Sequence, residues 1–295
     1  MLIRNDIQMN IKKKQCEAIT HINTIYKGGI MSRRLLNLIN NNKPQLPANK
    51  KFLADVMSCI ERMEQEGRRK GSNYYKPSSL HCMRNMYFTR TKAPQDPEVV
   101  EYNSTGMADT GTDRHERIQN VLLNMQKMGY DWKYLDVAEY VKQKQKFGKC
   151  KSLIIKGTQG AETHLIDTVL NLSFRCDGII RRISTNEDYL FEFKNVVSFK
   201  YNQLDNHCLE QHHNQVICYC TALDLDKAFV TYENRDICTL EVPEVFEVTQ
   251  DMKNWLVNYI SECEGYVERM IAPPRTEDTK NCKYCSYKGI CRKVR

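Results

Sequence analysis

The spacing of apolar and polar residues divides the chain into candidate helices and strands. Several stretches repeat apolar residues at a helical period. These candidate helices cover residues 52–65, 105–129, 210–223 and 249–270. Runs rich in apolar and β-branched residues, bounded by polar turns, predict strands. These runs cover residues 132–155, 172–183, 189–197, 228–232 and 237–242. The pattern predicts a mixed α/β fold with a β-hairpin at 172–197, whose polar turn lies at 184–187.

The second arm of this hairpin carries charged residues where buried ones are expected. Its period-two alternation puts Leu190, Glu192 and Lys194 on one face. A buried Glu and Lys are costly unless they pair or bind a metal. Asp177 on the first arm adds a second carboxylate, and two carboxylates with a lysine suit Mg²⁺ or Mn²⁺ and an activated water. The alternative is a surface hairpin with an ordinary Glu–Lys pair.

Two helical positions extend this candidate site. His115 lies one turn before the apolar stripe of the 105–129 helix, for which Thr110 or Thr112 is the predicted cap. It is either a core or capping residue or a third metal ligand. Gln215 and Tyr219 lie one turn apart and share one face of the 210–223 helix.

The cysteines form the most specific local pattern. The chain has 13 cysteines and no export signal, which argues against a disulfide framework. Cys282 and Cys285 form a C-x-x-C pair, and Cys291 follows after five residues. Cys82, in a basic and aromatic segment, is the best candidate for a fourth ligand; a tail with a different fourth ligand is the alternative. Four thiolates suit zinc or an iron–sulfur cluster.

Composition sets the wider limits. The chain has 295 residues, 41% of them hydrophobic, and a net charge of +8, which weakly favours a polyanionic partner. With neither a membrane span nor a signal peptide in the sequence, we expect a cytoplasmic protein. Residues 1–50 are predicted to be a basic peripheral segment, and residues 51–295 a single domain. Met31 is a candidate start in a bacterial or phage gene; the alternative is a basic arm that touches nucleic acid.

Together these motifs resemble the RecB-type PD-(D/E)XK nucleases that carry an iron–sulfur cluster, such as the CRISPR-associated exonucleases and AddB-type nuclease domains. The family pattern is a His, an Asp, a Glu-x-Lys and a Gln-x-x-x-Tyr, with one Cys upstream and three downstream. The matching residues are His115, Asp177, Glu192, Lys194, Gln215, Tyr219, Cys82, Cys282, Cys285 and Cys291. The resemblance runs from about residue 78 to 291. Cys176 precedes Asp177 where many members of the superfamily have Pro.

The resemblance implies a restriction-endonuclease-like core, a mixed central sheet flanked by helices. It also implies a 4Fe–4S cluster, with Zn²⁺ as the alternative, that ties the tail at 280–295 to a helix at 78–90. The implied ligands of Mn²⁺ or Mg²⁺ are His115, Asp177, Glu192 and the backbone carbonyl of Phe193. The implied catalytic partners of the metal are Lys194, which orients water, and Gln215 and Tyr219, which position the strand or the lysine.

The implied activity is that of an exonuclease acting on single-stranded DNA or DNA ends, with a helicase or recombination protein as a possible partner. The alternatives are an endonuclease or resolvase of the same fold, and a non-catalytic DNA-binding protein with a zinc-bound tail. Candidate DNA contacts in one basic loop, for which a solvated loop is the alternative, are Arg68, Arg69, Lys70, Tyr74 and Tyr75. Arg84, outside this loop, is a further candidate.

Overall fold

The computed structural model describes residues 47–67, 71–97, 102–159 and 162–294. The chain divides into two units, Met1–Val56 and Met57–Arg295. Several sequence predictions concern residues outside the described ranges. These are most of the basic segment 1–50, the start at Met31, and the DNA contacts Arg68, Arg69 and Lys70.

Helices predominate in the first half of the described chain, and most of the strands lie in the second half. The described helices are α1 (Ala48–Gly67), α2 (Met83–Arg90), α3 (Tyr102–Met125), α4 (Val137–Lys146), α5 (Ser198–Tyr201), α6 (Glu210–Leu223), α7 (Gln250–Glu268) and α8 (Lys288–Lys293). The described strands are β1 (Trp132–Leu135), β2 (Leu153–Gln159), β3 (Glu162–Asp167), β4 (Leu172–Cys176), β5 (Gly178–Arg182), β6 (Glu187–Val196), β7 (Lys227–Asn234), β8 (Leu240–Glu241) and β9 (Val245–Glu247). Every helix in the described ranges is too short or too polar to span a bilayer.

The central sheet is mixed. Its strand order is β1–β5–β6–β7–β8, with β9 also paired to β7. β6 and β7 are parallel, and the other neighbours are antiparallel. β2, β3 and β4 form a separate antiparallel sheet. The mixed central sheet with helices packed on it confirms the predicted α/β class.

Strand β6 separates two hydrophobic cores. Leu190 lies in the larger core, which includes Val216 of α6. Phe191 and Phe193 lie in a smaller core with Ile118 of α3. Because successive side chains of a strand point to opposite faces, this division confirms the alternation predicted for β6. It also places α6 and α3 against opposite faces of the sheet.

The two longest helical predictions in the C-terminal half are confirmed. Helix α6 has the predicted bounds, and α7 begins after Thr249, whose hydroxyl accepts a hydrogen bond from Met252 N at 3.3 Å. Such a cap satisfies a backbone N–H that the first turn leaves without a partner.

Two local predictions in the N-terminal half are wrong. Residues 137–146, expected to be β structure and a basic loop, form α4, because Asp136 caps them by accepting from Glu139 N at 2.8 Å. Helix α3 begins at Tyr102, so Thr110 and Thr112 lie inside the helix and do not cap it.

The first arm of the predicted hairpin is broken at Asp177. β4, before the break, pairs with β3 of the small sheet, whereas β5, after it, pairs with β1 and β6 of the central sheet. Gly178 permits this passage, since a Cβ there would lie 2.5 Å from a ring carbon of Tyr134. The chain thus changes sheets at the residue expected to be catalytic.

Candidate active site

Asp177 is held at the passage between the two sheets by backbone and side-chain contacts. It is buried, and its Oδ2 accepts a hydrogen bond from Phe193 N at 2.7 Å. Its Oδ1 lies 3.1 Å from His115 Nδ1, and its carbonyl accepts from Gln119 Nε2 at 3.3 Å. The carboxylate is therefore oriented toward α3 and the middle of β6.

The Glu-x-Lys pair and the helical Gln and Tyr form one hydrogen-bond network. Lys194 Nζ donates to Glu192 Oε1 at 2.7 Å and to Gln215 Oε1 at 2.9 Å. Gln215 Nε2 donates to the same Glu192 oxygen at 2.8 Å and lies 2.7 Å from the Tyr219 hydroxyl. The structure thus brings together four of the predicted residues on the α6 side of the sheet.

Glu192 is an unusual carboxyl group because it is buried and, within the described ranges, only one of its two oxygens has hydrogen-bond partners. It is 2% exposed, and its Oε2 has no hydrogen-bond partner among the described residues. Burial, followed by the nearby Asp177 carboxylate, raises the pKa of Glu192 to about 7. A buried oxygen without a donor costs free energy that a bound cation would recover.

His115 brings an imidazole to the same place from α3. Its ring lies edge-on to Phe193, with the centroids 5.0 Å apart. Burial lowers the pKa of His115, but the hydrogen bond and charge of Asp177 raise it by more, so the pKa lies above its ordinary value. The imidazole therefore faces a region of negative potential, as a residue beside a cation site does.

A third carboxylate joins this group, and the sequence analysis did not identify it. Glu162, at the start of β3, has a ligand oxygen that forms a compact group with atoms of His115 and Asp177, all within 4.8 Å of one another. Burial and the Asp177 carboxylate raise the pKa of Glu162. Glu192 lies beside this group and not within it, and the use of the Phe193 carbonyl as a ligand stays a prediction.

A buried carboxylate fixes the helix that carries His115. Glu233 on β7 is 0% exposed and accepts hydrogen bonds from Arg117 Nη2 and, at 3.0 Å, from Asn195 Nδ2. It also lies 3.1 Å from Arg114 Nη1. Arg114 and Arg117 flank His115 on α3, so Glu233 ties this helix to the sheet.

Replacing Glu233 with Gln is expected to destabilise the protein by about 1–3 kcal/mol, because two charge-assisted contacts to the arginines are lost in a buried place. Urea denaturation monitored by circular dichroism measures the change. Glu139→Gln, which breaks the exposed pair with Lys142, is the matched control and should leave the midpoint unchanged. Equal midpoints for the two variants would contradict the anchoring role.

The four predicted cysteines line one cavity. Cys82 precedes α2, while Cys282, Cys285 and Cys291 come from the C-terminal segment, and together they border a space of about 260 Å³. Cys285 Sγ accepts from Asn85 Nδ2 at 3.4 Å. The four predicted thiols, which come from distant parts of the sequence, therefore lie around one cavity.

The sulfurs are spread more widely than a zinc ion requires. Four thiolates at Zn–S bonds of about 2.3 Å bring their sulfurs to within about 4 Å of one another. Among the described cysteines, no three sulfurs lie within 4.8 Å of one another. All four thiols border the cavity without forming such a compact group.

Two of the predicted DNA contacts are wrong. Tyr75 is fully buried, and its hydroxyl donates to Glu264 Oε1 at 2.7 Å, so its ring is not available for stacking on a base. Arg84 is 3% exposed and donates to the carbonyls of Pro273 and, at 2.6 Å, Val294. Its guanidinium satisfies backbone oxygens of the tail. Tyr74 is half-buried, and its DNA contact stays a prediction.

Comparison with known proteins gives a similarity to a solved structure. No protein-family profile matches the chain, and no curated protein matches it. A solved structure described as "Crystal structure of SSO0001" is similar, with a TM-score of 0.44 and 17% sequence identity. The similarity covers 83% of this chain and 98% of that chain.

Proposed function

We propose that this protein is a metal-dependent DNA nuclease that hydrolyses phosphodiester bonds, acting as an exonuclease on single-stranded DNA or DNA ends. The observation that carries the proposal is the buried Glu192 carboxylate. Its Oε1 accepts a hydrogen bond from Lys194, and its Oε2 has no hydrogen-bond donor among the described residues. A carboxylate in this state, close to Asp177, is what a cation site needs. The mixed sheet between α3 and α6 supports the further proposal of a restriction-endonuclease-like core.

The donor set fits a hard divalent cation. His115, Asp177, Glu192 and the Phe193 carbonyl would hold Mn²⁺ or Mg²⁺, since both ions take oxygen ligands and Mn²⁺ also accepts an imidazole nitrogen. When bound, the cation neutralises phosphate charge and lowers the pKa of a water molecule. The chain's contribution is to hold the carboxylates in place before substrate arrives.

Lys194 has one N–H left for substrate or water. An ammonium has three donors, and the described contacts use one for Glu192 and one for Gln215. The remaining donor orients the attacking water or stabilises charge on the phosphate. Gln215 fixes the lysine by accepting from it, and its amide is in turn held by Glu192 and the Tyr219 hydroxyl. Gln215 and Tyr219 are thus positioning residues.

We propose that the cysteine cavity holds a 4Fe–4S cluster with Cys82, Cys282, Cys285 and Cys291 as ligands. The wide spacing of the sulfurs and the volume of about 260 Å³ support the cluster over Zn²⁺. The described cysteines are not joined in disulfides, so their sulfurs are available to bind iron as thiolates. The role is structural, because the cluster joins α2 to the C-terminal tail.

DNA, single-stranded or with a free end, is the proposed substrate, and a helicase or recombination protein is the proposed partner. The net charge of +8 supports a polyanionic substrate. Tyr74 is the proposed base-stacking residue that remains at the described surface.

Metal removal and strand topology test the activity. We expect anaerobically purified protein to degrade end-labelled single-stranded DNA with Mn²⁺ or Mg²⁺, to lose this activity in EDTA, and to regain it when the ion is restored. A closed single-stranded circle should stay intact, because it offers no end. Cutting of the circle favours the endonuclease alternative, and binding without cleavage under all conditions favours the non-catalytic alternative.

A further inference from the structure

The small sheet brings Glu162 beside Asp177. β3 and β4 pair antiparallel, with Thr163 opposite Cys176. Continuing this register by one residue would place Glu162 opposite Asp177, and ligand atoms of the two side chains do lie within 4.8 Å of each other where the chain leaves the small sheet. Opposed residues of antiparallel strands have Cα atoms about 4.5–5.5 Å apart, so their side chains meet when they share a face. Glu162 and Asp177 are far apart in sequence, and the antiparallel pairing of β3 with β4 brings them together.

Two carboxylates this close require a positive charge. Like charges opposite each other destabilise a sheet. The recorded ion-pair partner of Glu162 is Arg175, whose Nη1 lies 3.8 Å from Oε2, beyond hydrogen-bond length. The His115 imidazole is within reach of both acids, but its contact is with Asp177. The described residues around Glu162 therefore supply little neutralisation.

Glu192 gives an independent sign of a cation at this place. Its Oε2 is buried and has no hydrogen-bond partner among the described residues. An orphaned carboxylate oxygen beside a compact group of two carboxylates and an imidazole offers the oxygen-rich donor set of a hard divalent cation, with a nitrogen that Mn²⁺ accepts more readily than Mg²⁺.

We infer that Glu162 is a further ligand of the divalent cation at Asp177. The inference rests on the proposed metal-dependent function and adds a carboxylate that the Asp, Glu-x-Lys pattern does not contain. It assigns the cation site to both sheets, with Glu162 from the small sheet, Glu192 from the central sheet, and Asp177 at the passage between them.

Mn²⁺ binding to the anaerobically purified full chain tests this ligand. Free Mn²⁺ is measured by electron paramagnetic resonance during a titration without DNA, so the readout does not depend on activity. We expect Glu162→Gln to weaken Mn²⁺ binding at least about tenfold, as the loss of a ligand does. Glu162→Asp, which keeps the charge but shortens the reach, should give an intermediate affinity.

Two matched variants separate ligation from local charge and from the ion pair. Glu116→Gln removes an exposed charge next to His115, and Arg175→Gln breaks the Glu162 ion pair while keeping the carboxylate. Neither should weaken Mn²⁺ binding by more than about twofold, because exposed charges are well screened. If Glu162→Gln binds Mn²⁺ as tightly as Glu116→Gln, or if Arg175→Gln weakens binding equally, the inference is overturned.

Melting curves show whether the variant is folded. Without added metal, Glu162→Gln should melt at or above the wild-type temperature, because it removes one of two adjacent like charges. Mn²⁺ should raise the melting temperature of this variant less than that of the wild type. An equal rise in both proteins overturns the inference.

Cleavage assays separate this inference from the nuclease proposal. If the wild type cuts DNA and Glu162→Gln retains full Mn²⁺ affinity, only the inference fails. If Mn²⁺ binding depends on Glu162 and DNA stays intact, the ligand assignment stands and the nuclease proposal fails.

Discussion

Replacing Asp177 with Asn, or Glu192 with Gln, is expected to reduce DNA cleavage by at least about 100- to 1,000-fold, with DNA affinity nearly unchanged. Both substitutions keep the shape of the side chain and remove a negative charge from the place where a cation would bind. The amide introduced at position 177 still offers an oxygen to Phe193 N, and the amide at position 192 still offers one to Lys194. We therefore expect both substitutions to reduce the rate of cleavage without unfolding the protein.

Single-turnover digestion of end-labelled single-stranded DNA measures the rate, and fluorescence anisotropy in Ca²⁺ measures affinity. Glu116→Gln, which removes an exposed carboxylate on α3, is the matched control and should cleave at the wild-type rate. Glu192→Gln should melt at or above the wild-type temperature without metal, because Glu192 buries a half-satisfied charge. Wild-type cleavage by either site variant would show that the catalytic carboxylates lie elsewhere.

Replacing Cys282 with Ser is expected to lower the free energy of unfolding by on the order of 5 kcal/mol and to remove absorbance near ~400 nm. Neither the 3₁₀ turn Cys282–Tyr284 nor α8 contributes a buried residue to the core. Tyr287, which lies between these two elements, is the buried core residue of the segment. The position of the segment therefore depends on Tyr287, on hydrogen bonds such as those of Arg84, and on the thiolates. The free energy of binding a metal group at the cysteines would consequently contribute to the folding of the tail.

Differential scanning calorimetry under anaerobic conditions should show a melting temperature lower by about 10 °C or more. Limited proteolysis should cut the variant within residues 276–294 before the wild type. Cys59→Ser, at an exposed cysteine of α1, is the control and should keep both colour and melting temperature. A colourless wild type with one zinc per chain would replace the cluster with zinc, and an unchanged melting temperature in Cys282→Ser would remove the structural role.

The part of the site that sequence could predict is the part encoded by local periodicity. Period two along β6 put Glu192 and Lys194 on one face, and a one-turn spacing put Gln215 and Tyr219 on one face of α6. The structure joins the two faces in one hydrogen-bond network. Each local pattern reports which side chains share a surface, and a buried charged surface must meet a complementary one.

Long-range pairing was beyond such patterns. Glu162 reaches Asp177 through the β3–β4 register, and Glu233 reaches Arg114 and Arg117 across more than a hundred residues. Periodicity assigns a residue to a face of its own strand, but it does not say which strand pairs with it. Periodicity also could not predict that the chain passes from one sheet to the other at Asp177, because that passage depends on which strands pair.

Composition alone misled the prediction of DNA contacts. Tyr75 and Arg84 were expected at the surface because they lie in basic, aromatic segments. Both side chains are long and end in polar groups, so they can be buried when a partner lies inside. Glu264 is that partner for Tyr75, and the carbonyls of Pro273 and Val294 are the partners for Arg84.

Asp177 connects the two sheets, because the chain passes from the small sheet to the central sheet at this residue. Its backbone is continuous with the small sheet through β4, while its side chain is held by the central sheet through Phe193 N. A rotation of one sheet against the other would therefore separate the acids of the two sheets by distances that matter for a metal ion. Any contact that moves β2 to β4, however far from Asp177, would therefore change the geometry of the proposed cation site.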